Sequence, residues 1–188
     1  MTKPQKKSAV QHETADANPT ANTNANATGT VNACASGTTL RLILGDQLNP
    51  QHSWFTPSRK GVDSGVVYVL MEVRQETDYV LHHAQKILAI FAGMRDFARQ
   101  LTEAGHRVHY VKIDDPANQT SMTANLDRLI QHYGAAVFEY QDPDEWRLDA
   151  QLADYASRLK IACQKVSSEH FYTERNDPQR CLPAAPSG

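Results

Sequence analysis

Cysteine is scarce in this sequence: Cys34, Cys163 and Cys181 are the three among 188 residues. They are far apart, odd in number, and spell neither a C-x-x-C pair nor a metal-ligand spacing, which points to a reducing, cytoplasmic setting. Long apolar runs are also lacking. Nothing approaches the ~18 consecutive apolar residues of a membrane span, and Lys3, Lys6 and Lys7 are followed by no apolar stretch of the kind a secretory signal needs. No excess of positive charge exists either. With 19 Lys and Arg against 21 Asp and Glu, a net charge of -2 and a pI near 6.4, the chain has no basic field broad enough to hold nucleic acid by phosphate neutralisation alone. Two phosphate-binding signatures, G-x-G-x-x-G and G-x-x-x-x-G-K-[ST], are missing, so a dinucleotide or nucleoside triphosphate is not indicated. No Ser or Cys has a His at nucleophile-type spacing, and no catalytic residue is assigned.

The length suits one ordinary domain. Residues 1–39 are dominated by Ala, Thr, Asn and Gly and, from Ser8 to Thr39, contain no aromatic residue, so they are read as a disordered tail that cannot bury enough apolar area to offset its ordering entropy. Residues 176–188 carry three prolines and no packing pattern, and are read as an irregular tail. The ordered part is therefore expected over residues 40–175.

Within it, short apolar runs rich in Val, Ile and Tyr alternate with longer helical stretches. The strand candidates are Leu40 to Leu44, Val66 to Met71, Val108 to Ile113, Ala135 to Tyr140 and a weaker run around Lys165 to Ser168. Between Tyr79 and Ala104, the residues Val80, Ile87, Phe91, Met94, Ala98 and Leu101 fall on one helical stripe that Gly105 stops. Met122, Leu126, Leu129, Ile130 and Tyr133 form a second stripe ending at Gly134, and Leu148, Leu152, Tyr155 and Leu159 a third. Strands that are apolar almost throughout are buried on both faces, the habit of parallel sheets sandwiched by helices. The pattern predicts an α/β, Rossmann-like, doubly wound parallel sheet of about five strands. Asn49 to Gly65, mostly polar but holding Trp54 and Phe55, is expected to be a loop or a short irregular helix.

In such a sheet, ligands bind beyond the carboxyl ends of the strands, where strand order reverses. The residues at those junctions are Gly45-Asp46-Gln47, Glu72 through Glu76, Asp114-Asp115, and Gln141-Asp142 leading to Glu145-Trp146-Arg147. Asp114, Asp115 and Asp142 are read first as turn and cap residues. Gly45-Asp46-Gln47 suits a turn and a ligand contact equally, since a glycine there permits close backbone approach. His83 falls within the long apolar stripe and is expected to face the sheet, with Tyr79 one turn before it. Glu76 and Asp78 suit the positive end of a helix dipole. Trp146 lies opposite its helix's apolar stripe, either packing under a loop or lidding a pocket.

Four motifs in order, "LRLILGDQLNP", "VLMEVRQETDYVLHHAQKILAIFAGMRDFARQL", "GHRVHYVKIDDPAN" and "EYQDPDEWRLDAQL", resemble the N-terminal domain of the photolyase-related proteins, the prokaryotic iron-sulfur branch of the cryptochrome/photolyase family. The resemblance spans Leu40 to Arg175. It implies an antenna domain for light-dependent DNA repair, holding 6,7-dimethyl-8-ribityllumazine beside Gly45, Asp46 and Gln47, in a pocket lined by Glu72, Glu76, Tyr79 and His83. Glu76 is the residue it points to for a hydrogen bond to the lumazine ring. In that family a helical domain follows, carrying FAD, a [4Fe-4S] cluster and the surface that binds (6-4) photoproducts. The sequence ends where that domain would begin, and its closing "RNDPQRCLPAAPSG" matches nothing in the family. The resemblance thus implies a truncated chain without catalysis or nucleic-acid binding of its own, or half of a split photolyase whose helical FAD domain is encoded separately. An unrelated α/β module binding a nucleotide or another flat heterocycle is the alternative.

Overall fold

The computed structural model describes residues 37–56, 62–78 and 80–171. The two tails expected from the sequence lie almost wholly outside these residues, and only Gly37, Thr38 and Thr39 of the first are described. Five strands form one all-parallel sheet: β1 (Thr38–Leu42), β2 (Val66–Met71), β3 (Arg107–Val111), β4 (Ala135–Gln141) and β5 (Ala162–Val166), in the order β3-β2-β1-β4-β5. The helices are α1 (Arg74–Asp78), α2 (Ala84–Glu103), α3 (Met122–Tyr133) and α4 (Trp146–Arg158), with a 3-10 turn at Ser53–Phe55 between β1 and β2. The α/β doubly wound reading of the sequence is therefore the observed fold.

Side-chain alternation along the strands decides which helix covers which face. Leu40, Leu42, Val67, Val69, Phe138 and Tyr140 point to one side, where Met122, Leu126 and Leu129 of α3 and Leu148, Leu152 and Tyr155 of α4 close the core. Ile43, Val66, Tyr68 and Leu70 point to the other, against Met94, Phe97, Ala98 and Leu101 of α2 and Phe55 of the 3-10 turn. β2 is buried on both faces along its whole length, as its uninterrupted VVYVLM requires.

Three local readings need correction. The long helical stripe does not run unbroken from Tyr79. The chain makes α1, leaves helical conformation, and starts α2 only at Ala84, so Val80 stands 48% exposed outside any helix. His83 is consequently not turned toward the sheet but is the exposed N-cap of α2, its Nδ1 accepting from the Gln85 N–H at 3.2 Å. β5 lies three residues earlier than the apolar run suggested; it is an edge strand whose first four side chains are exposed, so burial left no hydrophobic imprint on it. α3 stops where expected: Gly134 takes φ 55°, a left-handed conformation that costs glycine little, and its N–H returns to the Ile130 and Gln131 carbonyls.

Leu126 is fully buried between α3 and the sheet. Leu126→Ala is expected to lower unfolding free energy by about 3 kcal/mol, the cost of lost burial plus a cavity. Urea unfolding followed by circular dichroism checks this; a loss under about 1 kcal/mol would contradict the packing described.

Candidate functional site

The chain passes from β1 outward to β2 and β3, then crosses back through α3 to place β4 on the other side of β1. Strand order reverses between β1 and β4, so the segments leaving their carboxyl ends diverge to opposite faces and leave a crevice. A cavity of about 410 Å³ opens at this end of the sheet, within the range that accommodates a small organic ligand. Its floor is Ile43, Leu44, Gly45 and Asp46 after β1, with Met71 and Val73 at the end of β2. One wall is the inner side of α2, from Lys86 through Ile87, Ile90 and Phe91 to Met94; Met122 of α3 and Leu148 of α4 supply the other. Glu76, Thr77, His82 and Glu145 complete the lining. The body of the cavity is apolar, and its polar groups are few.

Gly45 has a steric reason to be glycine. A Cβ there would stand 3.0 Å from Cγ2 of Ile90 and 3.2 Å from Sδ of Met94, so any side chain would push the α2 wall. Asp46 beside it keeps contact with solvent as a residue. Its carboxyl is nevertheless pushed above the ordinary 3.8, first by burial and then by repulsion from Asp144 and Glu145, against a backbone hydrogen bond and the attraction of His170.

Gln47 does not line the cavity. It is fully buried behind it, its Oε1 accepting from the Leu44 N–H at 3.1 Å while Nε2 reaches the carbonyls of Gln141 and Asp142, both at 3.4 Å. This one amide spans the parting ends of β1 and β4. Glu72 is likewise fully buried and outside the lining. Arg95 of α2 forks onto it at 2.6 and 2.8 Å, the Tyr110 hydroxyl donates at 2.6 Å and the Ile113 N–H at 3.0 Å. Burial alone would raise the Glu72 pKa, but these donors outweigh it and hold the carboxyl below 4.5. Glu72 thus ties α2 to β2 and β3, and its oxygens are occupied.

Glu76 does reach the lining, from α1. Arg147 of α4 donates to it from Nη2 at 2.7 Å and from Nη1 at 3.3 Å, and from Nε to Glu145 at 2.9 Å, clamping α1 to the start of α4. Of the residues singled out in the sequence, the structure thus brings Gly45, Asp46 and Glu76 together at one cavity. It sets Gln47 and Glu72 behind that cavity as braces and His83 outside it, while Tyr79 lies outside the described residues. His82 and Thr77 carried no sequence signal, and Ile87, Phe91 and Met94, expected only as a core stripe, also line the cavity. Ile90 offered a signal, being an aliphatic residue off the buried stripe, 38% exposed because it faces the cavity. Trp146 neither packs under a loop nor lines the cavity; it is 82% exposed at the first position of α4. Asp115 and Asp142 do serve local structure: Asp115 accepts from the Ala117 N–H and Asp142 pairs with Lys165. Among the described residues no His, Cys, Asp or Glu group is placed to hold a metal ion, and no helix is long and apolar enough to cross a membrane.

Two carboxylates give opposite pH signatures. The Glu72 contribution is present in full above the unfolded value of about 4.5 and is lost as pH falls through the lower folded value, so Glu72→Gln is expected to cost about 2 kcal/mol at neutral pH and to flatten the acid limb of the stability curve. Asp46 behaves in reverse: with its pKa raised, the stability it contributes below about 3.8 is lost as pH rises through the folded value. Asp46→Asn is therefore expected to be more stable than the parent at neutral pH, with the gap closing in acid. Thermal denaturation across the pH range reads both; an Asp46→Asn variant less stable at neutral pH would refute the assignment.

Residues 41–186 match the family model described as deoxyribodipyrimidine photo-lyase-related protein. A (6-4) photolyase of Agrobacterium fabrum (strain C58 / ATCC 33970) is 36% identical over 138 residues, covering 73% of this chain and 27% of that protein. The chain spans about a quarter of the length of the curated relative it matches. By the extent of the family match, the chain belongs to the deoxyribodipyrimidine photo-lyase-related protein family.

Proposed function

We propose that the cavity seats a flat heterocyclic chromophore of the ribityllumazine type, and that this domain is the light-gathering part of a photolyase-related protein. The observation that carries the reading is an apolar slot of about 410 Å³ at the strand-order reversal, with Gly45, Asp46 and Glu76 on its surface. Its volume and its largely apolar lining suit such a group. Ile90, Phe91 and Met94 on one side and Met71, Met122 and Leu148 on the other offer apolar surface to an aromatic body. Methionine suits that task, being polarisable and able to conform to a ring. Asp46 and Glu76 offer acceptors for ring N–H or ribityl hydroxyl groups, and Lys86 a donor, so the polar edge of a heterocycle finds partners that water would otherwise supply. Arg147 holds Glu76 in place for that role.

Bound there, a lumazine would absorb short-wavelength visible light and pass the excitation on. The residues of this chain would fix the ring, shield it from water and keep it from tumbling. Repair of a (6-4) lesion belongs, by name, to the Agrobacterium relative. We assign no cluster and no flavin step to this chain; FAD-dependent repair would draw on a separate helical portion.

Mixing the purified protein with 6,7-dimethyl-8-ribityllumazine is expected to give saturable binding, read by fluorescence anisotropy. Glu76→Gln should weaken it about tenfold, the worth of one hydrogen bond to a charged group. Gly45→Val should abolish it by displacing Ile90 and Met94 into the slot. Absence of binding well above micromolar concentration, in a sample folded by circular dichroism, would overturn the proposal.

A further inference from the structure

A second cluster lies away from the cavity, where β3, at one edge of the sheet, meets the C-terminal half of α3. Arg107 and His109 alternate onto the α3-facing side of β3, their register partners being Val67 and Val69. Arg128 and His132 are one turn apart on α3 and so share a face. Tyr133 sits among them: its hydroxyl and Nδ1 of His109 are 2.8 Å apart, the His132 ring centroid is 4.7 Å from its own, and the Arg107 guanidinium carbon is 5.9 Å from its ring. The His109 and His132 rings are 6.4 Å apart. Two arginines and two histidines have gathered here, Arg107 also donating from Nη1 to the Ser64 carbonyl at 2.7 Å.

Among the described residues none of the four forms an ion pair with a carboxylate, although Asp115 lies within electrostatic reach of His109. Nε and Nη2 of Arg128 are shielded from solvent and have no hydrogen-bond partner. A guanidinium nitrogen out of reach of both water and an acceptor is costly, and such orphans call for a missing partner. Asp127, the adjacent acid, accepts from the Tyr155 hydroxyl at 2.7 Å. The pull of the α3 C-terminal dipole accounts for His132 in the last turn but offers Arg128 no acceptor. Burial first, then Arg128 and His132, lower the His109 pKa, with Asp115 opposing them.

We propose that Arg107, His109, Arg128 and His132 form a binding site for a phosphate group, whose oxygens accept from the unpaired Arg128 nitrogens. Phosphate matches the planar donor fork of arginine, which a chloride ion does not. The same chemistry arises from a free phosphate monoester or from a nucleic-acid backbone. The site is independent of the chromophore cavity and of the reading given to it.

The test is titration of the intact chain with inorganic phosphate against sodium chloride of matched ionic strength, following the histidine ring signals by NMR. Expected is a saturable shift of His109 and His132 signals with phosphate alone, weakened about tenfold in Arg128→Gln, the loss of one charge-assisted hydrogen bond. Should that variant fail to fold, His132→Gln, an exposed position, is expected to weaken the shift in its place. A short oligothymidylate separates the sources: competition with phosphate that fades steeply with salt marks a nucleic-acid backbone, and the lack of competition alongside phosphate binding marks a free monoester. No shift beyond the chloride control at tens of millimolar phosphate, or shifts equal in the parent and in every folded variant, would overturn the proposal.

Discussion

The buried side chain of Gln47 holds the ends of two strands that are about to separate. Beyond Leu42 the chain of β1 turns toward the α2 side of the sheet, while the chain leaving β4 goes toward α4. Parting strands leave backbone groups without the partners a ladder would supply, and buried backbone groups must be paired. Gln47 meets that need with one amide, accepting from Leu44 and reaching the carbonyls of Gln141 and Asp142. With the ends so braced, Gly45 lies in the cavity lining and, lacking a side chain, lets Ile90 and Met94 of α2 approach close enough to make a wall. Two ion pairs secure the surroundings: Glu72 with Arg95 anchors α2, and Glu76 with Arg147 anchors α1 to α4. The cavity is thus bounded on three sides by elements tied through buried or half-buried carboxylates.

Much of this was legible in the sequence because burial leaves a record. β2 is apolar at every position because both its faces are covered, and α3 and α4 carry clean stripes because one side of each meets the sheet. Where burial is absent the record fades. β5 is an exposed edge, and Val80 is apolar without being packed, so the one was displaced and the other drawn into a helix that does not reach it. Glu72 and Glu76 illustrate a different limit. They stand four residues apart in the sequence, yet share no partner. Glu72 in fact precedes α1 and turns to Arg95 and Tyr110, which are 23 and 38 residues away, whereas Glu76 turns to Arg147, 71 residues away. Partners at such separations are set by the fold as a whole, and no local spacing announces them.

The two carboxylates at the heart of the structure and the one on the cavity floor divide along physical lines. Glu72 is matched by an arginine fork and serves the scaffold, whereas Glu76, also held by an arginine, stays in the cavity lining. Asp46 has no arginine partner; burial and two further acids raise its pKa against a backbone hydrogen bond and the attraction of His170. Under the proposed function, Asp46 and Glu76 would present acceptors to the bound ring.

The most direct measurement of the central claim is an isotope-filtered nuclear Overhauser experiment on the labelled protein mixed with 6,7-dimethyl-8-ribityllumazine. The account expects cross-peaks from the ring methyls of the ligand to the methyl groups of Ile90, Met94 and Met122, which line the slot from α2 and α3. Cross-peaks confined to residues elsewhere on the domain, or none from a saturated complex, would contradict it.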